Sequence, residues 1–400
     1  MSLPDRMPWA FVSALSATQI VSWGTIFYAF ALFVEPMGDE LGWTKSALTA
    51  AYSLALFTSA FCAVPVGRLI DLGYGRVVMT GGSLLATSLF ALWSQVESYP
   101  VFVVLWIGLG AAMSAVLYEP GFAVLARQLG FRARQGITVM TLAGGFASTV
   151  FIPLTHLLIE HYGWRGALLV LAGLNLVLCA LPHAISIPRA TSKKAPLPEP
   201  QQARSSASNA RRVLRQPAFW CFVATSVLNG VISTGMPVHL IPLLVERGFS
   251  LDAAVGAFTV IGPAQVAARL AMAFGERAVS LKTVGVITLV LGALAFVLLP
   301  LIPAGSWWVV VFAGVYGASN GMMTIVRALL PPELFGREDY GAIQGMIAMP
   351  VRIAMATAPF AFGALWGWWG NYTAVMGLCL IMALCSLSFF MLNLALAKEP

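Results

Sequence analysis

Twelve long apolar runs, parted by short polar turns, take up most of this 400-residue chain. A hydrocarbon layer ~30 Å thick is crossed by about 20 apolar residues in helical form, because a backbone amide in lipid must find its partner within its own segment. Runs of that length and number leave one class of fold. The sequence predicts an all-α membrane protein of twelve transmembrane helices, over residues 9–36, 46–70, 77–95, 100–127, 135–159, 165–187, 218–245, 253–274, 283–303, 306–330, 340–365 and 371–396. Composition agrees with a lipid solvent: 59% of the residues are hydrophobic and 10% charged, too little polar surface to coat a water-soluble globule.

The first run is too long for the apolar core of a signal peptide and no convincing cleavage site follows it, so it is read as helix 1. Cys62, Cys179, Cys221, Cys379 and Cys385 fall inside apolar runs at unrelated spacings. That pattern excludes a disulfide framework and a cysteine metal site, and neither metal nor cofactor is expected. Lys and Arg are retained on the cytoplasmic side during insertion. With the N-terminus inside, 18 of the 23 basic residues fall in inner turns, the central loop and the tails, while Lys45, Arg165 and Arg247 fall outside. The expectation is a multi-pass, monomeric protein of the inner (plasma) membrane, both termini cytoplasmic, with membrane lipid as its surroundings. The net charge of +7 is then a topology signal, and nucleic-acid binding is excluded for want of a basic soluble domain.

Residues 188–217 form the one long polar interruption, with Lys193, Lys194, Pro196, Pro198, Pro200, Ser205, Ser206 and Arg211 among them. Such a composition makes a flexible cytoplasmic linker, with an amphipathic turn near Arg211 to Arg215 suited to anionic headgroups. It parts residues 1–187 from residues 218–400, and those two flanks echo each other. A shift of about 205 residues sets Leu129, Arg132 and Gly136 on Leu334, Arg337 and Gly341, and Gly42-Trp43-Thr44 on Gly248-Phe249-Ser250. Six spans per flank keep the same direction of entry. The expectation is two pseudo-symmetric six-helix bundles with a cavity between them near the midplane, open to either side in turn.

Between the second and third runs the chain reads Gly67-Arg68-Leu69-Ile70-Asp71-Leu72-Gly73-Tyr74-Gly75-Arg76. This segment resembles the cytoplasmic signature of the major facilitator superfamily, glycine, x, leucine, x, aspartate, then glycine and arginine; here glycines stand two and four residues after the aspartate. Gly163-Trp164-Arg165 opening helix 6, Gly42-Trp43-Thr44-Lys45-Ser46 opening helix 2 and the six-plus-six layout extend the resemblance over the whole chain. It implies the major facilitator fold and a secondary transporter working by alternating access, not an enzyme. It also implies that the loop with Gly67, Asp71, Gly75 and Arg76 is a gating latch, Asp71 meeting the positive end of a helix and Arg76 pairing with a carboxylate. Drug and proton antiporters of the superfamily carry an arginine in helix 4 and a Gly-Pro-x-x-Gly-Gly run in helix 5. Val104 and Gly144-Gly145 with a distant Pro153 stand there instead.

Charges at membrane depth cost several kcal/mol, so they are candidates for function by default. Arg352 lies about twelve residues into helix 11, roughly 18 Å along its axis and too deep to snorkel. Arg269 lies in helix 8, and Glu119, beside Pro120 in helix 4, is read as the one deep acid of sixteen. Two guanidinium forks against one carboxylate suit an anionic solute. The arrangement resembles the oxalate/formate antiporter and monocarboxylate porter branches, whose basic residues in helices 8 and 11 face the substrate. The oxalate exchanger pairs arginine with lysine, and monocarboxylate porters often place an aspartate near where Gln265 stands. The competing structural assignments are Arg269 with Glu276 as a gate strut and Arg352 with Glu119 as a bridge. Glu119 is equally a proton-coupling candidate. Trp23, Tyr28, Tyr118, His239, Tyr316 and Asn320, on helices 1, 4, 7 and 10 that line the superfamily's cavity, complete the candidate pocket. Gly144, Gly145, Ala147 and Ser148 read as close helix contacts. The expected function is transport of a mono- or dicarboxylate by proton symport or exchange; the competing one is export of amphipathic or cationic compounds. No metal-ligand cluster, nucleotide loop or nucleophile with a base points to catalysis.

Overall fold

The computed structural model describes residues 7–188, 212–275, 279–335 and 340–397, without the side chains of Asp71 and a few other helical residues. Among the described residues, eleven helical stretches are long and apolar enough to cross a membrane. One of them, Gln135–Ser186, has 52 residues, which as a single helix would measure about 78 Å. Gly163 breaks it with φ 67° and ψ 170°, and the count becomes twelve. The spans are α1 (Trp9–Leu41), α2 (Lys45–Leu69), α3 (Gly75–Trp93), α4 (Tyr99–Leu129), α5 (133–162) and α6 (164–186). After the linker come α7 (Pro217–Glu246), α8 (Leu251–Gly275), α9 (Leu281–Leu298), α10 (Trp308–Phe335), α11 (Tyr340–Trp369) and α12 (Thr373–Leu396).

The chain divides into two compact units, Met1–Ala195 and Pro196–Pro400, and each is described by itself. Residues 189–211 of the expected linker lie outside the described residues. The internal repeat reappears in the details of each unit. Gly42 ends α1 in the left-handed region at φ 69°, and Thr44 then caps α2 by accepting from the Ala47 N–H at 3.1 Å. In the second unit Gly248 takes φ 87° and Ser250 accepts from the Ala253 N–H at 3.2 Å. This stop-then-cap chemistry is what the Gly-Trp-Thr and Gly-Phe-Ser echo encodes.

Five further residue pairs, Gly110/Gly317, Ala55/Ile261, Gly24/Gly230, Cys179/Ser386 and Thr18/Thr225, hold a spacing of 206 or 207 residues. Gly110 of α4 lies against the backbone of Ala55 on α2, and Gly317 of α10 lies against the backbone of Ile261 on α8. Gly24 of α1 seats the Phe151 ring of α5, and Gly230 of α7 seats Val351 and Met355 of α11. Cys179 donates to the Thr18 carbonyl at 3.6 Å, and Ser386 donates to the Thr225 carbonyl at 3.1 Å. Small residues let backbones close in because lipid gives no hydrophobic force to drive helices together; packing and hydrogen bonds do that work.

At the end of each unit where its first helix finishes, a carboxylate ties down the last hairpin. Glu40 accepts from Trp164 Nε1 and from Arg165, whose Nε lies 3.0 Å away. Its counterpart Glu246 accepts from the Tyr372 N–H at 2.7 Å and from Trp366 Nε1 at 2.6 Å. The exposed carbonyls after α3 and α9 are covered by arginine in both units, but from different places. Arg165 Nη1 donates to the Ser94 and Val96 carbonyls at 2.8 and 3.1 Å. Arg247 donates to Leu299 and, through Nη2, to the Pro300 and Ile302 carbonyls at 3.0 Å each. Partial burial there lowers the Arg247 pKa from its ordinary value. Lys45, the third of the three sparse basic residues at this end, pairs with Glu35 at 3.4 Å.

Candidate functional site

In the first unit the candidate aromatics come together. The sequence Trp23–Tyr28 forms a π-helical turn inside α1, marked by the Ala29 N–H reaching the Gly24 carbonyl five residues back at 2.9 Å. The turn points Trp23 at Tyr118 of α4, ring centroids 4.9 Å apart, with Phe27 at 4.9 Å and Tyr28 at 6.4 Å. Tyr118 stacks on Phe122 at 5.3 Å. Gly144 gives the Tyr118 hydroxyl its space, since a Cβ there would fall on it.

Tyr118 owes its position to a break in α4. Leu117 leaves helical geometry at φ −77° and ψ −159°, just ahead of Pro120, which has no N–H to offer the Val116 carbonyl. Gln19 of α1, fully buried, supplies the missing donor through Nε2 at 2.8 Å. Glu119 stands in the first turn of the second segment of α4. Its side chain is exposed: distance along a helix fixes depth but not the face on which a residue lies.

In the second unit Arg269 projects from α8 onto α10. Its Nε donates to the Gly321 carbonyl at 3.1 Å, and Nη2 lies 3.4 Å from Gln265 Oε1. The contact is possible because α8 and α10 nearly touch at Gly321, where a Cβ would lie 2.6 Å from the Gln265 carbonyl oxygen. Glu276, the carboxylate suggested for Arg269, lies outside the described residues. Arg352 is half-buried on α11 between Pro350 and Pro359. Tyr316 and Asn320, one helical turn apart on α10, line one small cavity inside this unit. His239 stands apart from them. It is buried, with Nδ1 2.9 Å from the Tyr372 hydroxyl and Nε2 2.8 Å from the Pro359 carbonyl, so both ring nitrogens bind α7 to α11 and to the start of α12.

The segment of the expected latch is a sharp hairpin between α2 and α3. Residues Ile70–Tyr74 run on from α2 as a π-helical turn, and Gly73 makes the reversal at φ 99°, a conformation that favours glycine. Gly75 packs against Val124 of α4, whereas Gly67 has open space at its Cα; Arg76 is half-buried. The Asp71 side chain lies outside the described residues.

Three residues escaped the reading of the sequence. Gln19 is one. Arg327 is another: it was counted only among the basic residues of one membrane face, yet it is half-buried on α10, which passes Pro331 and continues to Phe335. The third, His183 of α6, is fully buried with Nδ1 2.9 Å from Ser83 Oγ and Nε2 3.0 Å from Thr18 Oγ1. Thr18 spends its proton on the Leu15 carbonyl at 2.8 Å, which makes His183 Nε2 the donor and Nδ1 the acceptor. A lone histidine in an apolar run was the available signal. Of the cysteines expected to be packing residues, Cys179, Cys221 and Cys379 are buried, Cys62 is half-buried and Cys385 is exposed; all are free.

Comparison with known proteins places this arrangement. Residues 15–278 match the Major Facilitator Superfamily. Monocarboxylate transporter 13 of Bos taurus is 28% identical over 373 residues, covering 91% of this chain and 82% of that protein. Monocarboxylate transporter 11 of Homo sapiens is 27% identical over 384 residues, covering 94% and 72%. Among solved structures, a mutant of the nucleoside transporter NupG superposes with a TM-score of 0.78 at 16% identity over 97% of this chain and 99% of that one. A bacterial homologue of the human drug peptide transporters PepT1 and PepT2 gives 0.72 at 12% identity, with 96% and 97% covered. Transporters, not enzymes, surround this chain on both comparisons. With twelve spans in two repeated units and a family match over well more than half its length, this chain belongs to the major facilitator superfamily of multi-pass membrane transporters.

Proposed function

We propose that the protein carries a small organic anion, a mono- or dicarboxylate, across the plasma membrane by alternating access, with both termini in the cytoplasm. The observation that carries this reading is one arginine set within each of α8 and α11, Arg269 and Arg352, in a chain similar over nine-tenths of its length to proteins named monocarboxylate transporters. Apart from Asp252 in its first turn, α8 has no acidic residue, and α11 has none. A guanidinium at that depth costs several kcal/mol, a cost a carrier of anions offsets each time a carboxylate binds. The planar fork accepts a carboxylate through two parallel bonds. The bond from Arg269 Nε to Gly321 fixes the plane of that fork before any solute arrives, so little side-chain freedom is lost on binding. Movement is coupled to a proton or to a second anion moving in exchange, and one copy of the chain suffices.

The test is counterflow of a labelled monocarboxylate in proteoliposomes. Arg352→Gln lowers it at least tenfold without changing the melting temperature, and Arg352→Lys, which keeps charge but loses the fork, falls between. Wild-type rates in both Arg269→Gln and Arg352→Gln would refute the anion reading. They would favour export of amphipathic or cationic compounds, for which the Trp23, Tyr28 and Tyr118 cluster is the suitable surface.

A further inference from the structure

The cavity lined by Tyr316 and Asn320 lies among α7, α9, α10 and α12 of the second unit. It leaves about 10 Å³ for the centre of a water molecule, which is room for one. Its wall holds an unsatisfied acceptor. Asn229 of α7 is 8% exposed, and among the described residues no group donates to its Oδ1. Buried polar atoms are nearly always hydrogen-bonded, and leaving one bare costs about 1–3 kcal/mol.

The remaining polar groups of the wall define what fits. Ser319 Oγ gives its proton to the Thr288 carbonyl at 2.8 Å, and Ser386 Oγ gives its proton to the Thr225 carbonyl at 3.1 Å. Each hydroxyl therefore turns a lone pair to the cavity. Tyr316 reaches the Ile232 carbonyl at 3.4 Å, longer than a good O–H···O bond. The site thus presents two serine lone pairs, the side-chain amides of Asn229 and Asn320 and the Tyr316 hydroxyl, and among the described residues no carboxylate and no cation lines it. A carboxylate-sized solute would not fit.

We propose that this cavity is a binding site for a single internal water, which donates to Asn229 Oδ1 and to one of the two serine oxygens. The water bridges α7 to α10 or α12, and it makes the packing of α7 there partly water-mediated. The site is distinct from the two arginines and does not depend on the solute proposed for them.

The experiment is an experimental map of the full-length protein at about 2 Å, combined with X-ray hydroxyl-radical footprinting, which labels side chains beside bound water. The expected result is density 2.6–3.2 Å from Asn229 Oδ1 and strong labelling of Tyr316. Phe312, stacked on Tyr316 at 5.9 Å but outside the cavity wall, stays unlabelled. Asn229→Leu fills the space and removes the acceptor, and labelling of Tyr316 falls at least threefold. A dry cavity, a wild-type Tyr316 without label, or a peak held at about 2.4 Å by several oxygens, the spacing of a metal cation, overturns the proposal. Should Asn229→Leu fail to fold, the wild-type map and label decide.

Discussion

Replacing Gly321 by alanine tests whether the arginine of α8 is positioned by helix packing. A Cβ at Gly321 would lie 2.6 Å from the Gln265 carbonyl oxygen, 2.7 Å from its Cα and 3.0 Å from its carbonyl carbon. A comfortable carbon–oxygen contact is about 3.3 Å, so α10 must retreat from α8 by about 0.7 Å. All three obstructing atoms are backbone, and no rotamer change relieves them. Overpacking of this kind costs about 1–3 kcal/mol. A retreat of that size also stretches the Arg269–Gly321 bond, now 3.1 Å, past the usual limit for N–H···O. Gly314 on the same helix is the control, since a Cβ there meets nothing within 4 Å. Gly314→Ala is therefore neutral or stabilising by about 0.5–1 kcal/mol. The assay is reversible unfolding of the purified protein in mixed detergent and SDS micelles. Equal stability of the two variants, within about 0.5 kcal/mol, would refute the packing argument.

Gln19→Leu strips the Val116 carbonyl of its donor and lowers stability in the same assay by about 1–3 kcal/mol; an unchanged midpoint would mean that the break at Leu117 needs no support. Arg165→Met and Arg247→Met each uncover carbonyls beyond α3 and α9 and cost a similar amount, whereas Glu40→Gln, with a side chain 48% exposed, costs less than about 1 kcal/mol. A reversed order would make the ion pair, not the carbonyl cover, the main tie. Gly317→Ala combined with Gly321→Ala loses less than the sum of the two single changes, because one retreat of α10 relieves both clashes.

The spans were legible because their signal is length and apolarity, both written along one dimension. The repeat was legible where it uses turn chemistry: Gly42 with Thr44 and Gly248 with Ser250 stop one helix and start the next. What the chain order hides is azimuth. Glu119 and Gln19 both belong to apolar runs, yet Glu119 is exposed and Gln19 fully buried. His239 and His183 look alike in sequence, isolated in hydrophobic surroundings, and each becomes a strut only because a hydroxyl from another helix arrives beside it. Arg165 and Arg247 cover corresponding carbonyls from non-corresponding positions, so no alignment of the two halves would pair them. The end of α10 was hidden by Pro331, which ordinarily ends a helix, whereas α10 continues through it to Phe335.

The central claim, that the second unit's arginines hold a carboxylate, is tested most directly by binding to the folded protein. A ligand present at a hundred times its dissociation constant adds about 2.7 kcal/mol to stability. Small carboxylates are expected to raise the melting temperature of the wild-type protein and to leave that of Arg352→Gln unmoved. A protein indifferent to every carboxylate offered, or stabilised by one equally well after Arg352→Gln and Arg269→Gln, would contradict it.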